Sequence, residues 1–362
     1  QAVRDLTDVP LAARLATAVV AYFEYVRMTF WPSGLAIFYP YRQPVPVTDV
    51  LIALTAMAVI TGTAWRFRRS NPHLIIGWLL YLGMLVPVIG LVQIGEQSHA
   101  DRYTYIPTIG IFIATAWLLA DLAERGSAAR IATTAACVVA LIALTITTVK
   151  QIAHWRDAET LFAHTLRVTR DNWLAHNNYG SLLLERGETA SALNHFKRSI
   201  AIRPDYAYAL CNAADAALLL NQPEEAVAYL QRAASIETLT FISVLNYANA
   251  LAMSGRLDEA EAQVAAAMRL DGSDPQPLTL LGQIRAAQSR HAEAIGLYEA
   301  ALRLDAGNAE AHFQIAVSLI AANRIEEARS HLESALRITP DDAQARQLFD
   351  SLPPPTSRPS LP

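Results

Sequence analysis

Charge is scarce in this chain. Of 362 residues, 17% are Asp, Glu, Lys or Arg and 53% are hydrophobic, whereas a soluble domain carries about 25% charged residues. Part of the chain is therefore not built for water. Lysine is nearly absent, at Lys150 and Lys197 only. The two cysteines, Cys137 and Cys211, fall one in each half and make no disulfide framework. The nine histidines are scattered, with no HExxH and no Cys/His cluster, and the chain has no glycine-rich phosphate loop and no GxSxG elbow. No metal site and no cofactor is expected. A net positive charge is missing from the back half: residues 1–150 sum to +3 and residues 151–362 to −7. Without a basic stripe, no nucleic-acid partner is expected. The chain opens at Gln1 without Met or signal peptide, and it reads as a fragment or processed product. Its richness in Ala and Arg favours a bacterial source.

Long uncharged runs fill the front half. Leu74–Ile94, Tyr103–Ala120, Ile131–Val149 and Val50–Trp65 carry no charge. With flanking residues each approaches the roughly 20 apolar residues that span a bilayer, and in lipid an isolated run must be a helix. Leu11–Phe30 is a weaker fifth candidate, either spanning or lying at the interface. Its Glu24 and Arg27 are three apart and share a helix face. Arg66, Arg68 and Arg69 follow the second helix, and Arg125 and Arg130 the fourth. Positive loops stay in the cytoplasm, so loops 31–47 and 95–104 lie outside with everything after Lys150. The expectation is a polytopic transmembrane bundle over 1–150 in a bacterial inner membrane, with the rest in the periplasm.

The back half repeats every 34 residues. Ala192, Ala226, Ala260, Ala294 and Ala328 keep this step, as do Gly180, Ala214, Ala248, Gly282 and Ala316. So do bulky Phe196, Leu230, Val264, Tyr298 and Leu332, and small Ser199, Ala233, Ala267, Ala301 and Ala335. Small columns let antiparallel helices approach, and the bulky column fills between pairs. Gly187, Asn221, Gly255, Ser289 and Asn323 break each pair in the middle. Pro204 and Pro340 close the first and last copies. The pattern resembles the tetratricopeptide repeat over 173–342, in copies 173–206, 207–240, 241–274, 275–308 and 309–342. The tryptophan usual in that repeat is replaced by His176, Leu210, Val244, Leu278 and His312, of which His176 and His312 are read as packing residues. Residues 151–172 form a capping half-repeat, with Ala158, Phe162 and Thr165 in the same columns. Ala343–Ser351 is a short cap, and Leu352–Pro362 is too proline-rich to fold. The fold class is all-α: a polytopic membrane bundle followed by an α-solenoid.

Two sets of residues are candidate sites. Asn178, Asn212 and Asn246, continued by Gln314 after Leu280 breaks the series, recur on the first helix of each pair. Amides both donate and accept, so they can grip a peptide backbone; the repeats of O-GlcNAc transferase are similar in this respect. Alternatively these are ordinary repeat residues. The outer loop GEQSHADRYTYIP holds Glu96, His99, Asp101, Arg102 and Tyr103. The Arg102 fork suits a phosphate; alternatively Asp101 caps the next helix and Arg102 snorkels at the interface.

The segments FWPSGLAIFYPY (30–41), LVPVIG (85–90), ADRYTYIPTIG (100–110) and HWRDAETLF (154–162) precede the repeats. Together they resemble the transmembrane and tetratricopeptide-repeat-containing O-mannosyltransferases and their bacterial relatives, membrane glycosyltransferases of the GT-C type. The resemblance implies transfer of a sugar from a polyprenyl-phosphate donor to a protein hydroxyl, with the repeats recruiting the acceptor. It implies that Arg102, beside Tyr103, binds the donor phosphate while Glu96 or Asp101 orders the loop. The family's acidic catalytic motif lies in a first outer loop that this sequence does not contain. The competing class is a membrane-tethered repeat scaffold without catalysis; it leaves five helices unexplained where one would anchor.

Overall fold

Prolines decide which apolar runs become long helices. The computed structural model describes residues 10–41, 44–89 and 97–353. α1 (Leu11–Phe30), α2 (Val47–Arg66) and α5 (Ser127–Ala153) run 20, 20 and 27 residues. α3 (Pro72–Leu85) stops two residues before Pro87, which has no N–H with which to continue the helix bonds. α4 (Thr108–Ala123) starts directly after Pro107. The runs Leu74–Ile94 and Tyr103–Ala120 therefore do not form continuous helices, and Asp101–Thr104 is a 3-10 turn. At 14 and 16 residues, α3 and α4 reach about 21 and 24 Å, short of a hydrocarbon core of about 30 Å. Among the described residues, α2 and α5 are the two helices long and apolar enough to cross a membrane.

Two compact units divide the chain, Gln1–Pro204 and Asp205–Pro362. In the first, α3 and α4 cross where Gly77 meets Gly110; a Cβ on either would run into the other's carbonyl oxygen. Small residues permit such close contact between helices. Polar ties supplement it: Tyr81 donates to the Tyr22 carbonyl (2.6 Å), Tyr22 to the Leu82 carbonyl (2.9 Å) and Trp78 Nε1 to Thr61 Oγ1 (3.0 Å). The outward faces remain bare. α5 has no buried residue, and α2 buries only Ala53 and Ala64.

The rest of this unit is a cap, one helix pair and a loop clipped to them. α6 (Ala158–Val168) is capped by Asp157, which accepts from the Thr160 N–H. It packs on α7 (Trp173–Glu185), which pairs with α8 (Thr189–Ile202). Residues 31–41 run between α1 and α2 and include β1 (Tyr39–Pro40), antiparallel to β2 (Gln97–His99). Leu35 O accepts from Gln151 Nε2 (3.3 Å) and lies 3.0 Å from His164 Nε2. Phe38 O accepts from Asn172 Nδ2 (3.0 Å), and the Phe38 ring meets Trp173 edge-on.

The second unit stacks four helix pairs and a cap. The pairs are α9 (Ala207–Leu219) with α10 (Pro223–Ile236), α11 (Phe241–Met253) with α12 (Leu257–Leu270), α13 (Gln276–Ala287) with α14 (His291–Leu304), and α15 (Ala309–Ala321) with α16 (Ile325–Ile338). The cap is α17 (Ala343–Ser351). The 34-residue columns are the core: Ala226, Ala260, Ala294 and Ala328 are fully buried, as are Leu230, Tyr298 and Leu332. Each pair turns on a residue at positive φ, namely Asn221, Gly255, Ser289 and Asn323, with Gly187 doing the same in the first unit. Glu259, Glu293 and Glu327 sit in the first turn of their helices, where acids suit the helix dipole. Each is held by the arginine three residues earlier: Arg256, Arg290 and Arg324.

Candidate functional site

Asp101 begins the 3-10 turn that follows β2 and faces β1. Tyr39 Oη donates to its carboxylate at 3.0 Å, while the Ala36 N–H donates to the same Oη at 2.7 Å. The amide polarises the hydroxyl that grips the acid. Burial pushes the Asp101 carboxyl up to about 6, opposed by the Tyr39 bond. The Tyr39 phenol is raised as well, by burial and then by the neighbouring Asp101 charge. Tyr39 stacks on His99 (4.1 Å between centroids), and Ser98 Oγ lies 2.9 Å from His99 Nδ1. The Ala100 N–H donates to Tyr25 Oη on α1 at 2.9 Å. Asp101 thus ties its loop to β1 and makes no helix cap.

Arg102, one residue on, points outward. It is exposed, and its guanidinium lies 5.3 Å from the centre of the half-buried Tyr103 ring. Tyr103 Oη accepts from Gln97 Nε2. Glu96 lies outside the described residues. Asp101, Arg102 and Tyr103 are therefore on one turn, but they do not converge on one point.

Beside this turn lies a cavity of about 440 Å³ between the end of α1, β1, the start of α2 and the end of α6. Its polar lining includes Glu24, Arg27, Asp49, His99, Tyr39 and Arg170. Glu24 and Arg27 pair at 2.7 Å, as their spacing implies. Arg102 is not on its wall. These two carboxylates and two guanidinium groups stand among apolar walls that include Phe23, Met28, Ile52 and Val168, which suits a ligand with both a polar and an apolar part. Arg170 was not legible as a site residue: it ends the cap without a motif, and only the fold brings it to α1.

The amide series is placed on the first helix of the pairs. Asn178 on α7 accepts from Asn177 Nδ2 (3.2 Å), and Asn212 is half-buried on α9. Asn246 on α11 donates to Asp215 (2.7 Å), which offsets the burial that raises the Asp215 carboxyl. Gln314 on α15 donates to Glu310 (2.7 Å). A polar recess of about 230 Å³ joins Asn246 and Asn249 to Gln276, Thr279 and Gln283. No group of three or more His, Cys, Asp or Glu is placed to hold a metal among the described residues.

Models of the tetratricopeptide repeat match residues 183–238 and 285–349 and, in a second version, residues 151–207. Protein O-mannosyl-transferase TMTC1 of Mus musculus is 26% identical over 171 residues, 46% of this chain and 18% of that protein. Protein O-mannosyl-transferase Tmtc3 of Drosophila melanogaster is 26% identical over 249 residues, 62% of this chain and 26% of that one. The chain thus spans about a fifth to a quarter of these curated relatives. Among solved structures, YrrB, described as a TPR protein with an unusual peptide-binding site, aligns at 20% identity over 54% of this chain and 100% of its own, with a TM-score of 0.42. TTC0263, a thermophilic TPR protein of Thermus thermophilus, aligns at 19% over 49% and 97%, with a TM-score of 0.43. The chain carries tetratricopeptide repeats, and its sequence is similar to that of protein O-mannosyl-transferases.

Proposed function

We propose that this chain is part of an integral-membrane glycosyltransferase that moves a sugar from a polyprenyl-phosphate donor to protein. In this reading residues 1–150 form the polytopic membrane domain, 151–172 cap the array, and the five repeats over 173–342 capture the acceptor polypeptide outside the cytoplasm. The bare apolar faces of α2 and α5 support immersion in lipid: Leu51, Ile52, Val138, Val139, Leu141 and Ile142 are all exposed, and apolar patches of that extent need a cover. The arginines after α2 and α4 support the orientation. Arg102 would take the donor phosphate, with Asp101 holding its loop through Tyr39. The amides of Asn178, Asn212, Asn246 and Gln314 would hold acceptor backbone.

One observation carries the reading. Loop 31–41, the strand before Asp101 and the cap α6–α7 are bonded to one another, so a lipid-borne sugar and a captured polypeptide would meet on one face. The test is sugar transfer to protein from a polyprenyl-phosphate donor by the full-length protein, comparing wild type with R102A. Loss of transfer in R102A with unchanged acceptor crosslinking is expected; unchanged turnover removes Arg102 from the mechanism. The repeat matches also fit a membrane-tethered scaffold, which predicts acceptor crosslinking and no transfer by the wild type.

A further inference from the structure

Six of the nine histidines meet one another. His154 stacks on His164, while His176 with His195 and His312 with His331 bring their Nδ1 atoms to 3.1 and 3.0 Å. The last two pairs are the same pair four repeats apart. The column of His176 and His312 reads His, Leu210, Val244, Leu278, His; the column of His195 and His331 reads His, Tyr229, Gln263, Leu297, His. In copies one and five both members are histidine, and in the three between neither is. Packing alone does not demand this, since Leu, Val, Tyr and Gln serve the same interface.

We propose that His312 and His331 form a two-imidazole site for a divalent first-row transition-metal ion such as zinc or nickel, with His176 and His195 as a weaker copy. Two nitrogens bound to one ion at about 2.0–2.1 Å lie about 2.9–3.4 Å apart for angles near 90–110°. The pairs are already held at that separation by facing helices. As a hydrogen bond, such a pair uses one Nδ1 proton; when an ion enters, that proton shifts to Nε2 of the same ring and both Nδ1 lone pairs face the metal. No proton is lost, and neutral imidazole is the ligand form. Water completes the coordination.

The surroundings rank the two pairs. The charges facing His331 are Glu299 on α14 and Glu327 on α16, the latter also paired with Arg324, and the one facing His312 is Arg337. Around the first pair the facing charge is Arg198. An added cation is thus less opposed at the second pair than at the first. This inference is independent of the glycosyltransferase reading.

The chain itself supplies substitutions that fit the interface: H312L/H331Y grafts the second copy, H312V/H331Q the third, and H176L/H195Y treats the first pair in the same way. Zn²⁺ binding to the tag-free, detergent-solubilised full chain is measured by equilibrium dialysis, with the melting midpoint followed by intrinsic fluorescence. One tight Zn²⁺ per wild-type chain is expected, with affinity falling at least about tenfold in both grafts and changing less than about threefold in H176L/H195Y. Zinc should raise the midpoint of the wild type and not of the grafts, because only the folded pair binds it. Equal affinity in wild type and either folded graft, loss in H176L/H195Y alone, or no binding of Zn²⁺ or Ni²⁺ up to about millimolar concentration overturns the proposal.

Discussion

A methyl group added at Gly282 tests how the repeats match size across a helix pair. Its Cβ would fall 2.7 and 2.8 Å from Cδ1 and Cζ of Tyr298, closer than carbon atoms pack, and at Gly180 it would fall 2.7 and 2.9 Å from Phe196 Cε1 and Cδ1. Where the small column holds alanine, the bulky column is aliphatic: Ala214 with Leu230, Ala248 with Val264 and Ala316 with Leu332. Glycine thus accompanies a ring, and alanine a branched chain. In G282A the overpacking costs about 1–3 kcal/mol, against about 1 kcal/mol gained from alanine in a helix. The net change is small, so a double-mutant cycle isolates the clash. Y298L alone leaves a void costing about 1–2 kcal/mol. G282A/Y298L recreates the fifth copy and should be more stable than the sum of the single changes by about 1–3 kcal/mol. The midpoint of chemical or thermal unfolding reads this as roughly 2–4 °C per kcal/mol. Strict additivity, or a stabilising G282A alone, would refute the size-matching argument.

Other consequences are directly measurable. The Tyr298 hydroxyl is buried without a hydrogen-bond partner among the described residues, so Y298F should raise stability by up to about 1 kcal/mol in the same unfolding assay. Asp101 titrates near 6 when folded, against an ordinary 3.8, so the folded chain binds a proton more tightly than the unfolded one. The stabilisation is full below about pH 4 and fades by at most about 2–3 kcal/mol as pH rises through 6; melting curves of D101N should lack that slope. Asn172 caps α7 and holds Phe38 O, so N172A should cost about 1–3 kcal/mol and speed amide exchange around residues 35–40. G77V should separate α3 from α4, because its Cβ would enter the space of the Gly110 carbonyl; a cysteine-crosslinking pair across that crossing should then lose yield.

The repeat array was legible because the chain aligns with itself. A step of 34 residues exposes which positions must be small, and the turn residues Asn221, Ser289 and Asn323 do adopt the positive φ their types tolerate. One period before the first copy, Thr165 in the same column is fully buried. The front half was less legible. A scan for missing charge counts proline as apolar, yet Pro87 and Pro107 set where α3 ends and α4 begins. The candidate site was legible only as a loop: Asp101 and Tyr39 lie 62 residues apart and share no spacing rule, so their pairing and the raised carboxyl emerge from the fold alone. The same holds for Arg170 at the cavity and for His195 and His331, each paired to a residue 19 positions earlier. That last pairing had a signal, the joint change of two columns, which reading columns one at a time does not reveal.

In the proposed membrane reading, which parts share a side of the bilayer and which side that is rest on different observations. The arginine pattern would orient such a chain through the positive-inside rule, which depends on how membranes are loaded. The bonds from Leu35 to Gln151 and His164, and from Phe38 to Asn172, depend only on distance. A bilayer core of about 30 Å cannot lie between groups about 3 Å apart. Wherever the end of α5 emerges, loop 31–41 and the cap emerge with it, and the pairing of β1 with β2 carries the turn of Asp101 and Arg102 to the same place. One reporter fused after Ala153 therefore fixes the compartment of all these parts at once. A result placing that reporter in the cytosol would invert the loops together with the cap, and would separate the arginine argument from the hydrogen-bond argument without breaking the latter.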